Sequence, residues 1–225
     1  MNLKLNKKSI TILIISILAV LVPIVVKDSY IRHLFIVSYI YGIVVVSWDI
    51  SLGFCGILNF AHMAFFGIGV YGCGILVKTF NVDPAIAILL SGIIAAIAAV
   101  ILSAPIIRLK GIYVILVTFS FGQLLLQLVY SQVNITGGAL GMVKIPNLEI
   151  AGYSFIKDYK FGYYYISLLL LAISILFVEV LGKSPFGKSL KAIRDNEDYA
   201  VSRGVSLAKQ RFLSLIASSI FTGVA

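Results

Sequence analysis

Seven stretches free of Lys, Arg, Asp and Glu divide this chain: Ser9–Val26, His33–Trp48, Ile50–Val77, Pro84–Ile107, Gly111–Val133, Phe161–Val178 and Phe212–Ala225. A helix rises about 1.5 Å per residue, so about 20 residues cross the roughly 30 Å hydrocarbon layer of a bilayer. Six stretches can cross, two of them with snorkelling or local thinning. The seventh is still apolar and helical in pattern at Ala225 and reads as a span cut in mid-helix. Of the 225 residues, 60% are hydrophobic and 12% charged, against about 45–50% and about 25% in soluble domains. The expected fold class is all-α: a polytopic transmembrane helix bundle of about six complete spans plus a truncated seventh. One domain over residues 1–225, incomplete at its C-terminus, is expected.

Lys4, Lys7 and Lys8 precede the first run as in a signal peptide. That run is longer than a typical signal core, and Val26-Lys27-Asp28 after it offers no small-residue cleavage site, so it reads as a retained span. Cys55 and Cys73 share one apolar stretch. If it were continuous helix they would stand about 27 Å apart, too far for a disulfide, and both read as inert packing thiols. No Cys/His spacing suggests zinc.

The net charge of +9 is a matter of topology. With the N-terminus inside and the spans alternating, 12 of the 18 basic residues fall on inner segments and six on outer ones. The positive-inside rule therefore predicts a cytoplasmic N-terminus, and nucleic acid is not an expected partner. Residues 134–160 become an extracytoplasmic loop and residues 182–211 a cytoplasmic one. The inner loop carries seven basic and three acidic residues. It reads as two short helices: one over Phe186–Ile193 with Leu190 and Ile193 on one face, the other capped by Asp195 or Asn196 with Glu197 and Asp198 in its first turn. Gly204 fits a helix stop, and Ser206 fits the cap of the next span. Such a loop either merely fixes topology or docks a cytoplasmic partner.

Two well-known motifs occur in letters only. Gly182-Lys-Ser-Pro-Phe-Gly-Lys-Ser189 matches the P-loop pattern, but a transmembrane helix precedes it where a strand is needed, and Pro185 removes a backbone donor. Gly67-Ile-Gly69-Val-Tyr-Gly72 matches the dinucleotide fingerprint without a βαβ context. Asn134-Ile-Thr136 is a glycosylation sequon in spelling.

Ser51–Gly74 holds six glycines in 24 residues, with Asn59 and His62. Two structures fit: tightly packed helix, or a broken, re-entrant segment lining a cavity where freed backbone groups meet a polar solute. Ion-coupled carriers usually keep charged residues inside the membrane, at about 2.5–3.5 kcal/mol each. Here Asp49 and Glu179 lie at span edges, so an energy source on another chain is expected. The absence of a nucleophile–base or metal constellation argues against an enzyme.

At this point the residues resemble a known family. Gly53-Phe-Cys-Gly56-Ile-Leu-Asn59-Phe-Ala-His62-Met-Ala-Phe-Phe-Gly67-Ile-Gly69-Val-Tyr71 is similar to the signature of permeases in branched-chain amino-acid ABC importers. Arg108-Leu-Lys-Gly111-Ile-Tyr113 with Thr118-Phe-Ser-Phe-Gly122-Gln123 resembles a second block of that family, nearest its LivM-type inner-membrane permeases. Asn134–Gly141 resembles a third block, and Ser184–Glu197, with Ala200 and Gly204, resembles the cytoplasmic coupling segment. Gln123 departs from the family's usual Glu, which puts any role of that carboxylate in doubt here.

The resemblance implies a permease subunit of an ATP-binding-cassette importer in a prokaryotic cell membrane, translocating branched-chain amino acids by alternating access. It implies four kinds of contact: a second permease subunit, two cytoplasmic ATPase subunits, an extracytoplasmic substrate-binding protein, and membrane lipid. No cofactor or metal is expected on this chain, and ATP with Mg would sit on the ATPases. Asn59, His62, Gly67, Gly69 and Tyr71 are the expected pathway residues. Gly187, Lys188, Leu190, Ala192, Ile193, Arg194, Asp195 and Asn196 are the expected ATPase-coupling residues. Related permeases carry urea, amides or sugars. An ATP-independent channel or carrier using the glycine-rich stretch is the alternative from another class.

Overall fold

The computed structural model describes residues 17–24, 26, 28–109, 111–143, 145–150, 153–155 and 157–225. Most of the expected first span, Ser9–Val26, lies outside them; residues 17–24 are helical. Five helices among the described residues are long and apolar enough to cross a membrane: Ser29–Phe54, His62–Phe80, Pro84–Ile106, Ile112–Ser131 and Phe161–Lys183.

Helix α1 (Ser29–Asp49) starts at Asp28, whose carboxylate accepts the Tyr30 N–H at 2.7 Å. It runs into a π-helical turn, Ile50–Phe54, and then the chain leaves helical structure until α2 (His62–Phe80). The 28-residue apolar stretch is therefore broken, and its two ends belong to different helices. Cys55 and Cys73 accordingly sit on separate elements and are free thiols.

Helix α3 (Pro84–Ile106) begins with Asp83 as cap and Pro84 in the first turn, where a missing N–H costs nothing. Helix α4 is Ile112–Ser131. The following segment folds as a short helix α5 (Val133–Thr136), a 3₁₀ turn Gly138–Leu140, and a two-residue antiparallel ladder of β1 (Glu149–Ile150) with β2 (Tyr153–Ser154). Helix α6 (Lys157–Lys183) starts four residues before the charge-free stretch, because Lys and Tyr are compatible with helix beyond the hydrocarbon layer. Apart from that ladder, the described fold is helical.

The inner-loop segment forms α7 (Pro185–Asp195) and α8 (Glu197–Ser202). Of the two candidate caps, Asn196 is the one used, accepting the Tyr199 N–H at 2.9 Å. Gly204 takes a left-handed φ of 84°, and Ser206 caps α9 (Leu207–Val224). The P-loop letters fold as the end of α6, the cap residue Ser184 and the start of α7. Gly67, Gly69 and Gly72 all lie within α2.

Two packing units build the bundle. In the first, α1 lies on α6, where Leu171 fills the space over Gly42 and the Tyr39 and Tyr164 hydroxyls bond at 2.7 Å. In the second, α9 packs against α3, α2 and α1. Ala87, Ser91, Ala95 and Ala99 recur every fourth residue on α3 and are buried. Small residues are needed there because helices in lipid gain little from apolar burial and associate through close van der Waals contact. Gly223 of α9 comes nearest: a Cβ on it would stand 2.8 Å from the Ser91 carbonyl, and one on Gly69 would stand 2.7 Å from Gly223 Cα. Ser91 Oγ donates to the Gly223 carbonyl at 2.7 Å, closing this three-helix contact.

Candidate functional site

The break between α1 and α2 organises the site. Gly56 has a φ of 71°, a left-handed conformation that a side chain would strain. Asn59 is fully buried, and its Oδ1 accepts the Ala61 N–H at 2.9 Å, a local turn that starts α2. Thr118 Oγ1 of α4 accepts the Phe60 N–H at 3.1 Å. Side chains thus satisfy two backbone donors that the break sets free, as a hydrocarbon environment requires.

His62, the first residue of α2, is buried at a junction of three helices. Its Nε2 lies 3.0 Å from the Val44 carbonyl and 3.1 Å from Ser47 Oγ, both on α1, and 2.7 Å from Thr222 Oγ1 on α9. Thr222 also donates to the Ser218 carbonyl at 2.8 Å, and Ser47 to the Val44 carbonyl at 2.9 Å. Ser47 Oγ and Thr222 Oγ1 also lie 2.9 Å apart, and because a carbonyl can only accept, the Val44 contact assigns the proton to Nε2. The unpartnered Nδ1 is then a lone pair, cheaper to bury than an orphaned N–H. Trp48 stacks on the ring at 5.9 Å between centroids and 13° between planes. Among the described residues no group of three His, Cys, Asp or Glu could hold a metal.

Gly67 and Tyr71 occupy the other face of α2. With Phe60, Met63, Gln123, Tyr130 and Gly138–Gly141 they line a groove of about 580 Å³ between α2 and α4. No Lys, Arg, Asp or Glu lines it. The five expected pathway residues therefore divide: Gly67 and Tyr71 border open space, whereas Asn59, His62 and Gly69 lie inside the packing that shapes it.

The expected coupling residues divide as well. Gly187 presses on the end of α6, where a Cβ would stand 2.8 Å from Gly182 Cα. Leu190 and Ile193 are fully buried, and Ala192 is half-buried. Lys188, Arg194, Asp195 and Asn196 are exposed. A strap the sequence reading did not foresee joins α8 to α9: Arg211, only 7% exposed, pairs with Glu197 and donates to the Leu109 carbonyl at 3.3 Å. Ser47, Trp48, Thr118 and Thr222 were also missed. For Thr222 a signal existed, since Ser214, Ser218 and Thr222 recur every fourth residue along one face of α9 and are all buried.

The family described as branched-chain amino acid transport system, permease component, matches residues 30–225. The high-affinity branched-chain amino acid transport system permease protein LivM of Salmonella typhimurium is 25% identical, covering 97% of this chain and 56% of the relative. LivM of Escherichia coli gives the same identity and coverage. A probable branched-chain amino acid transport permease protein LivM from Methanocaldococcus jannaschii is 24% identical over 83% of this chain and 63% of its own length. The chain thus spans little more than half the length of the first two relatives. No solved structure matches it significantly.

Proposed function

Because this chain belongs to the family of branched-chain amino acid transport system permease components, we propose that it is the transmembrane permease subunit of an ATP-binding-cassette importer for branched-chain amino acids. It is a multi-pass protein of the cell membrane. In this reading its N-terminus is cytoplasmic, six spans cross completely, and α9 belongs to a seventh. Separate ATPase subunits, binding ATP and Mg, drive alternating access. A second permease subunit completes the pathway, and an extracytoplasmic binding protein delivers the solute.

The observation that carries this reading is the α7–α8 pair. Its apolar face, Leu190 and Ile193, is buried against the chain's own helices, while Lys188, Asp195, Asn196 and Asp198 are exposed for a soluble partner. The span interiors lack an ionisable relay, which fits an energy source on another chain. The neutral groove, with amide and phenol groups at Gln123, Tyr71 and Tyr130, suits a solute with no net charge. A permease for urea, short amides or sugars is the second reading, favoured by Gln123 in that lining.

Uptake into vesicles carrying the complete importer separates these possibilities. Leucine uptake that requires ATP and the binding protein is the expected result. Uptake that persists after ATP depletion at clamped membrane potential would replace the importer with a channel or carrier. ATP-dependent uptake of urea or a sugar, with leucine excluded, would select the second reading.

A further inference from the structure

The π-turn and break, residues 50–61, are held at both ends by side chains from different helices. At the α4 end Thr118 Oγ1 accepts the Phe60 N–H, and Phe60 and Met63 form part of the groove wall. At the other end the holder is α7. Arg194, in its last turn, donates from Nη1 to the Gly53 carbonyl at 2.6 Å. Its Nε and Nη2 donate to Asp195 Oδ1 at 3.2 and 3.1 Å, which fixes the plane of the guanidinium. Its aliphatic stem lies flat on Gly56, where an added Cβ would stand 3.0 Å from Arg194 Cγ. One turn earlier, Lys191 Nζ lies 4.8 Å over the Phe54 ring and donates to the Gly182 carbonyl at 3.2 Å. Lys191 and Arg194, three apart and so on one face of α7, thereby hold Gly53, Phe54 and Gly56.

The held segment is locally irregular. A π-turn is a local departure from the i→i−4 ladder and is frequent at functional sites. Asn59 Nδ2 and Trp48 Nε1, near either end of it, are buried donors without a hydrogen-bond partner among the described residues.

We propose that Arg194 is the positioning residue that couples α7 to the π-turn and break, so that displacement of α7 by the ATPase moves the Phe60–Met63 wall of the groove. This inference rests on the reading of the chain as an importer permease. It gives Arg194 an inward task, on the chain's own backbone, in place of direct contact with the ATPase. Lysine at the same place keeps one donor able to reach Gly53 but loses the fork that Asp195 orients; glutamine is too short to reach from the same backbone.

The test uses the whole importer in vesicles, with ATP hydrolysis and solute uptake measured together for wild type, Arg194→Gln and Arg194→Lys. Uptake per ATP hydrolysed is expected to fall about tenfold in Arg194→Gln and to recover at least threefold of that loss in Arg194→Lys. Hydrogen exchange at the Ile57–Phe60 amides, compared with and without a non-hydrolysable ATP analogue, should change in wild type and stay constant in Arg194→Gln. A wild-type uptake ratio in Arg194→Gln, or a nucleotide response of those amides equal to wild type, overturns the proposal. Loss of ATPase binding by Arg194→Gln in a pull-down also overturns it, since the side chain would then serve the partner. Failure of the wild-type complex to show any ATP-dependent uptake would instead overturn the importer reading itself.

Discussion

Replacing Gly69 by Ala tests the three-helix contact at the centre of the bundle. The new Cβ would stand 2.7 Å from Gly223 Cα, with the Gly223 carbonyl closer still. Carbon atoms rest about 3.5–4.0 Å apart, so α2 and α9 must separate by about 1 Å. No rotamer relieves this, because both partners are backbone. Thr222, next to Gly223, would be drawn from His62 Nε2, now 2.7 Å away, to beyond hydrogen-bond range. Overpacking costs about 1–3 kcal/mol and a lost buried hydrogen bond about 1 kcal/mol. Better helix propensity returns about 1 kcal/mol, leaving a net loss of roughly 1–3 kcal/mol. Gly122→Ala on α4 is the control, since nothing lies within 4 Å of its Cβ position. Thermal unfolding in detergent should show Gly69→Ala melting clearly below wild type and Gly122→Ala at or slightly above it. Equal stability of the two variants would refute the backbone-contact argument.

Two further substitutions and one labelling experiment probe the break and the straps. Arg211→Met removes the buried cation of the Arg211–Glu197 pair; breaking a buried pair costs about 3–5 kcal/mol, and the partial exposure of Glu197 lowers the expected loss to about 2–3 kcal/mol. Denaturation of Arg211→Met that matches wild type would show the strap to be idle. Thr118→Val removes the acceptor of the Phe60 N–H; a buried donor left unpaired costs about 1–3 kcal/mol, and faster hydrogen exchange at Phe60 is the expected signature. Cys55 is 4% exposed and Cys73 half-buried, so a bulky maleimide should label Cys73 faster, and preferential labelling of Cys55 would contradict the packing of the break.

Several elements were legible because they depend on local chemistry. The cap residues Asn196 and Ser206, the stop at Gly204 and the paired helices of residues 182–211 follow from side chains that satisfy or end a helix within a few residues. The break was legible only as one of two possibilities. Glycine density suits close packing and irregular backbone equally; what decides is whether distant groups accept the freed donors, and Thr118 is 58 positions from Phe60 in sequence. Among the pathway residues the glycine spacing located α2 but could not say which side of it faces the groove. Gly67 and Tyr71 are four apart and share that side, whereas Gly69 is turned toward α9.

Helix α9 shows how a polar face can serve the centre of a membrane bundle. Ser214, Ser218 and Ser219 are buried, and each donates to the carbonyl three residues before it. Their hydroxyls are thus satisfied within the helix, and their small size lets α2 and α3 approach. Lys209, Gln210 and Arg211 near its start lower its hydropathy far more than these hydroxyls do, and α9 does not rank with the five apolar helices. Its two ends bear on different parts of the molecule: Arg211 holds Glu197 at the start of α8, and Thr222 and Gly223 meet His62 and Gly69 on α2. Eleven residues separate Arg211 from Thr222, about 16 Å of helix without a glycine or proline to bend it. Helix α9 therefore connects α8 to the start of α2, while Arg194 connects α7 to the π-turn before it. Both connections end at residues 50–62, which makes that segment the meeting point of the two short helices with the start of α2.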